Sequence, residues 1–521
     1  MEQTGLTMTS TTLRARAGTT LPSWRPAAVT MLAVLGSWLT AWRIEVAAGL
    51  HLDVVVLAVV LTLTLGRVVS RERPRAAAPY LLRMVALPVI ALAATAVGWL
   101  LAHHQVLGGA VFVAVLSGAI WIRRYGATWS RIGTIASLPF IALLVVPVPV
   151  SAATARTLWP ALFALVAFAW ALAAHVLAWV TGFLEPPLVA PTPTDPARAR
   201  PGRPGRLSAS TRMAAQLAVG LATAYAVGRW LFPEHWPWLV LSCYVVCSGN
   251  RGRGDVLHKG VLRLGGALVG TAVATLVADL FPAGDRWAIV LLFAVMGVAL
   301  WARQVSYAYW AGAVTAMLAL LHGYVGIGGV GQLGDRLLGV ALGALVGVVA
   351  SWLVLPVRSR DSFRRRWADG LAAVSELLGA LRTGEGVEAA GHGLRFAVAQ
   401  LELLEPAYLL HRRTLHRGPA AHPADLVALL RALGRALGEV AELPGDVLLA
   451  HRRVLGSWAR QVGAVRRRMR GDLPVEPAAD PDVPTTSRAA TGLDVLDRAD
   501  ELLAELDAAF TRDVWRRLGG G

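Results

Sequence analysis

Six arginines recur in fixed register in an otherwise apolar chain. They form three pairs, Arg83 with Arg263, Arg123 with Arg303, and Arg156 with Arg336, each separated by 180 residues. A guanidinium is planar, permanently charged and carries five N–H donors, which suits it to binding carboxylates in a fork. At membrane depth such a charge is costly unless paired or hydrated, so it marks a functional position by default. The chemistry on offer is recognition of anions. A plainer reading has Arg156 and Arg336 snorkel to the outer headgroups and the other four anchor cytoplasmic helix ends. Anchoring, however, makes no demand on register.

Asp335 precedes Arg336, but neighbours on a helix do not face each other, and a carboxylate also suits a helix N-terminus. Asp53 and Asp279 fall near outer ends of apolar runs and are candidates for a proton relay, with capping or snorkelling as the alternative. Gly266 with Gly270, and Gly343 with Gly347, are small residues four apart, the spacing that lets helix backbones approach. The aromatics of WPW (236–238), Trp301, Tyr307, Tyr309 and Trp310 could line a route for flat organic molecules or form an interfacial belt.

Other signals carry no chemistry. GIGGVG (326–331) has no strand before it, so a dinucleotide site is not expected. Cys243 and Cys247 share one apolar run and read as buried thiols. His103 and His104 lack further ligands at metal spacing. With no Walker A pattern and no catalytic constellation, neither an enzyme, a metal nor a cofactor is expected.

These residues must be held by membrane helices. The chain has 521 residues, 55% hydrophobic and 16% charged, against about a quarter charged in soluble domains. Apolar runs near 27–47, 53–69, 82–101, 107–122, 132–150 and 157–180 are followed, after a Pro- and Arg-rich stretch, by runs near 213–231, 236–249, 261–280, 286–302, 305–322 and 336–356. About 20 apolar residues cross a bilayer, so twelve spans are predicted. The net charge of +17 comes almost wholly from arginine. Much of it lies in RVVSRERPR (67–75), RRYGATWSR (123–131), RARPGRPGR (198–206) and NRGRGDVLHK (250–259). This pattern predicts contact with anionic lipid at the cytoplasmic face rather than with nucleic acid, and puts both termini in the cytoplasm. The Arg, Ala, Gly and Val bias points to a high-GC bacterium and its inner (cell) membrane.

The 180-residue offset also relates FVAVLSGAIWIR (112–123) to LFAVMGVALWAR (292–303) without a gap. The expected fold class is all-α: a polytopic membrane protein of two parallel repeats of six transmembrane helices, plus a C-terminal cytoplasmic helical bundle. The domains are an N-terminal tail (1–25), a first repeat (26–181), a linker (182–211), a second repeat (212–357) and the bundle (358–521). In the last, apolar residues recur every three or four positions with charges between them. Residues 472–490 are expected to form a loop within it.

The two six-span halves, RLGGALVG (263–270) and the closing Asp335–Pro356 stretch resemble the FUSC family, the fusaric acid resistance and aromatic-acid exporter group of integral membrane bound transporters. The resemblance covers about residues 21–356. Ala267 stands where the family more often has threonine, and the first half keeps Arg83 without the glycines. The resemblance implies export (efflux) of small, often aromatic, organic acids, driven by the ion gradient. It carries over Arg263, Gly266, Gly270, Asp335, Arg336 and Gly343 as signature positions. The substrate partner is then a small organic anion; a homo-oligomer is left open. Two other readings stand beside it: a membrane scaffold or regulator acting through the tail, and an organic-anion channel.

Overall fold

The computed structural model describes residues 23–49, 53–70, 78–144, 158–184, 207–233, 235–249, 252–277, 281–326, 331–357, 359–414, 422–470 and 494–511. Among them every regular element is helical. Twelve helices overlap the twelve apolar runs. They are α1 (Arg25–Ala48), α2 (Asp53–Val69), α3 (Ala78–His103), α4 (Gln105–Trp121), α5 (Ala127–Leu143) and α6 (Trp159–Val180). The second set is α7 (Ala209–Leu231), α8 (Trp236–Cys247), α9 (Arg253–Val277), α10 (Arg286–Ala302), α11 (Tyr307–Tyr324) and α12 (Gly331–Leu353).

Six stretches are long and apolar enough to cross a membrane: Arg25–Ala48, Met84–His103, Gln105–Tyr125, Trp159–Val180, Arg253–Ala274 and Gly334–Leu353. Shorter apolar segments lie in α2, α8 and α10. The outward faces of these helices expose Val85, Leu177, Val269 and Leu276. Water would penalise such a surface, whereas lipid tails are as apolar as leucine. The chain is an all-α polytopic membrane protein.

Helix α6 packs against α1, α2 and α3; α12 packs against α7, α8 and α9. The two sets meet on two faces. On one, α4 lies against α7, and Phe112, Leu116 and Phe140 share a core with Leu217, Leu221 and Tyr244. On the other, α10 lies against α1, and Met296 and Leu300 share a core with Ala27, Val34 and Leu63.

The glycine pairs sit where backbones touch. A Cβ on Gly266 would lie 2.3 Å from the Ala308 carbonyl oxygen, and one on Gly270 2.1 Å from that of Gly312, at the crossing of α9 and α11. A Cβ on Gly343 would lie 2.2 Å from the Leu239 carbonyl oxygen, and one on Gly347 3.1 Å from Val246, at the crossing of α8 and α12.

Beyond residue 358 the chain forms a helical bundle: α13 (Ser359–Thr383), α14 (Val387–Glu402), α15 (Glu405–Thr414), α16 (Pro423–Ala441), α17 (Gly445–Ala450), α18 (Arg452–Arg470) and α19 (Asp494–Thr511). Trp367 is fully buried in its core, stacked on Phe363 and Phe510. The bundle meets the membrane helices on α9, through α15 and the start of α13. There the Gly254 N–H donates to Ser359 Oγ at 3.1 Å, and the Tyr408 hydroxyl donates to the Ser359 carbonyl at 3.3 Å.

One placement differs from expectation. Arg263 was expected at a helix end near residue 261, but α9 begins at Arg253, which puts Arg263 roughly 15 Å along the helix. The polar stretch RGDVLHKG is helical because Asp255 and Lys259 pair across one turn at 2.9 Å. An i,i+4 pair of opposite charges supports helix where apolar periodicity is missing. Arg156, Asp279 and most of the linker and the 472–490 segment lie outside the described residues, as do the side chains of Asp53 and Arg83.

Candidate anion-binding site

Arg336 stands five residues into α12 and is 2% exposed. Its guanidinium carbon lies 4.4 Å from the centroid of the Trp238 ring, within reach of a cation–π interaction. Its Nε and Nη1 have no acceptor among the described residues. Trp238 is brought there by the WPW sequence. Pro237 sits in the first turn of α8, where its fixed φ suits a helix start and its missing N–H costs nothing. Gly339 lies opposite, where a Cβ would sit in ordinary contact, 3.5 Å from Trp238 Cβ.

A third helix closes this corner. The ring of His322, near the end of α11, lies 5.9 Å from that of Trp238. Its Nδ1 is 2.6 Å from the Leu318 carbonyl oxygen. If Nδ1 holds the proton for that bond, Nε2 is left as an acceptor.

Below the corner, Trp238, Ala267, Leu318 and Val340 form one packed layer. Gly260 of α9 faces Val348 of α12, while Ala267 shares the layer with Val340, so α9 and α12 run antiparallel. Arg263 therefore lies one turn to the far side of the layer from Arg336, with an axial separation of roughly 12 Å. It too is 2% exposed, and its Nε and Nη2 have no acceptor among the described residues.

The other sequence-predicted arginines are elsewhere. Arg123 follows α4 in a short 3₁₀ turn (Ile122–Tyr125) and is half-buried, with an enclosed Nε lacking an acceptor among the described residues. It faces the second set of helices, close to Tyr244, whose hydroxyl meets Ser137 of α5. Arg303, just after α10, places its guanidinium 5.8 Å from the Trp310 ring. Asp335 is exposed while Arg336 beside it is buried. Among the described residues no group of three His, Cys, Asp or Glu side chains is arranged to hold a metal ion.

Two buried guanidinium groups with N–H groups to spare make a strongly electropositive interior. An uncompensated buried charge costs several kcal/mol. A carboxylate entering beside either arginine would accept two charge-assisted hydrogen bonds and remove that penalty. The apolar layer between them offers nothing to a small inorganic ion but suits the carbon body of an organic acid. Sequence reasoning left Trp238 between a route for flat organic molecules and an interfacial belt, and passed over His322. The WPW motif was visible, but its contact with a residue 98 positions away was not.

Residues 221–350, from the middle of α7 to near the end of α12, match the family model for fusaric acid resistance protein-like proteins. That segment of the chain is similar to the FUSC family. The matched segment contains both Arg263 and Arg336, the glycine pairs and Trp238. No curated protein matches the chain.

Proposed function

We propose that this FUSC protein exports small organic acids, aromatic ones among them, from the bacterial cytoplasm across the inner membrane, driven by the ion gradient. The observation that carries the reading is the pair of arginines, Arg336 and Arg263, each 2% exposed and each with two N–H-bearing nitrogens lacking an acceptor among the described residues. An anion in low dielectric needs such donors. A protein with no anionic cargo gains nothing by keeping two of them inside a membrane domain.

In this reading the two sets of helices are tandem repeats in one orientation, with both termini and the C-terminal bundle on the cytoplasmic side. The twin contacts of α4 with α7 and α10 with α1 support a pseudo-two-fold axis along the membrane normal. Arg123 and Arg303 flank the cytoplasmic mouth, Arg263 holds the acid at mid-depth, and Arg336 with Trp238 receives it near the outer face. Arg156 and Arg83 supply the matching contacts in the first half. An inside-negative potential favours outward movement of an anion by about 2.3 kcal/mol per charge per 100 mV.

The test is accumulation of labelled aromatic and aliphatic carboxylates in cells with and without the protein, in the presence and absence of a protonophore. Lower accumulation of some acids, abolished by the protonophore, is the expected result. No difference for any acid would rule the reading out.

A further inference from the structure

Four helices around the two buried arginines are joined in two pairs. Where α9 crosses α11, a Cβ on Gly266 or Gly270 would strike the carbonyl oxygen of Ala308 or Gly312, so backbone rests on backbone. Where α8 crosses α12, the same holds for Gly343 and the Leu239 carbonyl. Approach this close, open only to small residues, ties each pair together. The seam between the pairs is filled by side chains. Ala267 of α9 and Leu318 of α11 come from one pair, Trp238 of α8 and Val340 of α12 from the other. All four are buried, Ala267 and Val340 completely. Val314, Leu321 and Leu337 pack around them.

Polar groups stand on both sides of this seam. Arg336 and His322 lie to one side, and Arg263 lies one turn to the other. Beyond Arg263, towards the start of α9, His258 is half-buried with an enclosed Nδ1 that meets no partner among the described residues. Lys259 Nζ donates to the Ser248 carbonyl oxygen at 3.2 Å. An ordinary core explains four packed apolar side chains, but not two guanidinium groups held 2% exposed against them with N–H groups to spare. Anion sites explain the guanidinium groups, but not a dry layer between them. A barrier between two sites explains both.

An anion at Arg263 reaches Arg336 along this line only by crossing the seam. A small inorganic anion must shed its water to do so and finds no donor in the layer, which makes the crossing prohibitive. Apolar constrictions in channels exclude ions in this way, by staying dry. An organic acid presents a carbon body that the four side chains can pack against while its carboxylate stays on a guanidinium. Without such a layer, two guanidinium groups in line would give chloride a path through the membrane domain. We propose that Trp238, Ala267, Leu318 and Val340 form a dry selectivity seal between two anion stations. It blocks chloride and other small hydrated anions, and it parts along the seam between the two helix pairs for an acid with an apolar body. The passage of the acid rests on the transport reading above; the exclusion of chloride does not.

The experiment is chloride efflux from liposomes holding the full-length protein, followed with a chloride electrode, with valinomycin present to balance charge. The wild type should be as tight as protein-free liposomes. Val340→Thr, which keeps the shape of valine, and Leu318→Gln each put a polar group in the seal, one from each helix pair. Both should release chloride about tenfold faster than the wild type, the factor that one hydrogen bond to an ion removes from a barrier. Leu338→Ser adds a hydroxyl to the exposed face of α12 and should stay tight. A wild type that passes chloride would overturn the seal without any variant. So would a Val340→Thr protein that elutes like the wild type and stays tight, a Leu338→Ser protein that leaks equally, or a leak that admits sodium as readily as chloride. Carboxylate transport in the same liposomes separates the two readings. Leaky variants of a wild type that moves no acid would leave the seal standing and remove transport; acid transport with tight variants would remove the seal alone.

Discussion

The guanidinium of Arg336 rests on the face of Trp238, 4.4 Å from its centroid, although 98 residues separate them in the chain. The ring attracts the cation through its quadrupole and leaves the N–H edges of the fork unused. It holds the charge in place without neutralising it, as a site that must accept and release an anion requires.

Removing that charge should impair transport more than folding. Arg336→Gln is expected to lower the rate of carboxylate export at least tenfold, since a hydrogen bond to a charged group contributes about 1.5–3 kcal/mol. Arg336→Lys should fall between, because an ammonium keeps the charge and loses the fork. Transport into inverted vesicles, normalised to protein inserted, measures this; equal rates in all three proteins would remove Arg336 from the site.

The ring can be tested separately. Trp238→Phe keeps a π face and should weaken apparent carboxylate affinity only a few-fold. Trp238→Leu loses it and should weaken affinity by about tenfold, in line with about 1–2 kcal/mol for a desolvated cation–π contact. Competition by unlabelled acid in the vesicle assay reads both values. Identical affinities would reduce Trp238 to packing.

Glycine substitutions should divide sharply by position. Gly270→Ala puts a methyl 2.1 Å from the Gly312 carbonyl oxygen, and Gly343→Ala puts one 2.2 Å from that of Leu239. Both clashes are with backbone, so helices must separate, and overpacking typically costs about 1–3 kcal/mol. Gly297→Ala has nothing within 4 Å and should be neutral. Thermal aggregation followed by fluorescence-detected size exclusion should rank the three in that order.

The bundle core should be fragile at one point. Trp367 is fully buried between Phe363 and Phe510. Trp367→Ala should destabilise the bundle by about 3–5 kcal/mol, seen as proteolytic cleavage within residues 359–511 at protease levels the wild type resists. Wild-type resistance would mean the bundle core lies elsewhere.

The sequence by itself determined the twelve helices, their apolar character and the glycine positions. These are local properties: apolar run length decides what can lie in a bilayer. It located Gly266, Gly270, Gly343 and Gly347 for the same reason, since small residues four apart define a helix face. It misjudged the depth of Arg263, because the polar turn before it gave no hydrophobic signal and its helical support is a side-chain pair, Asp255 with Lys259. Only the tertiary structure decided that Arg263 and Arg336 flank one apolar layer and that Trp238 backs Arg336. Each depends on how helices cross. Crossing geometry is set by packing of whole faces against one another, and no single segment encodes it.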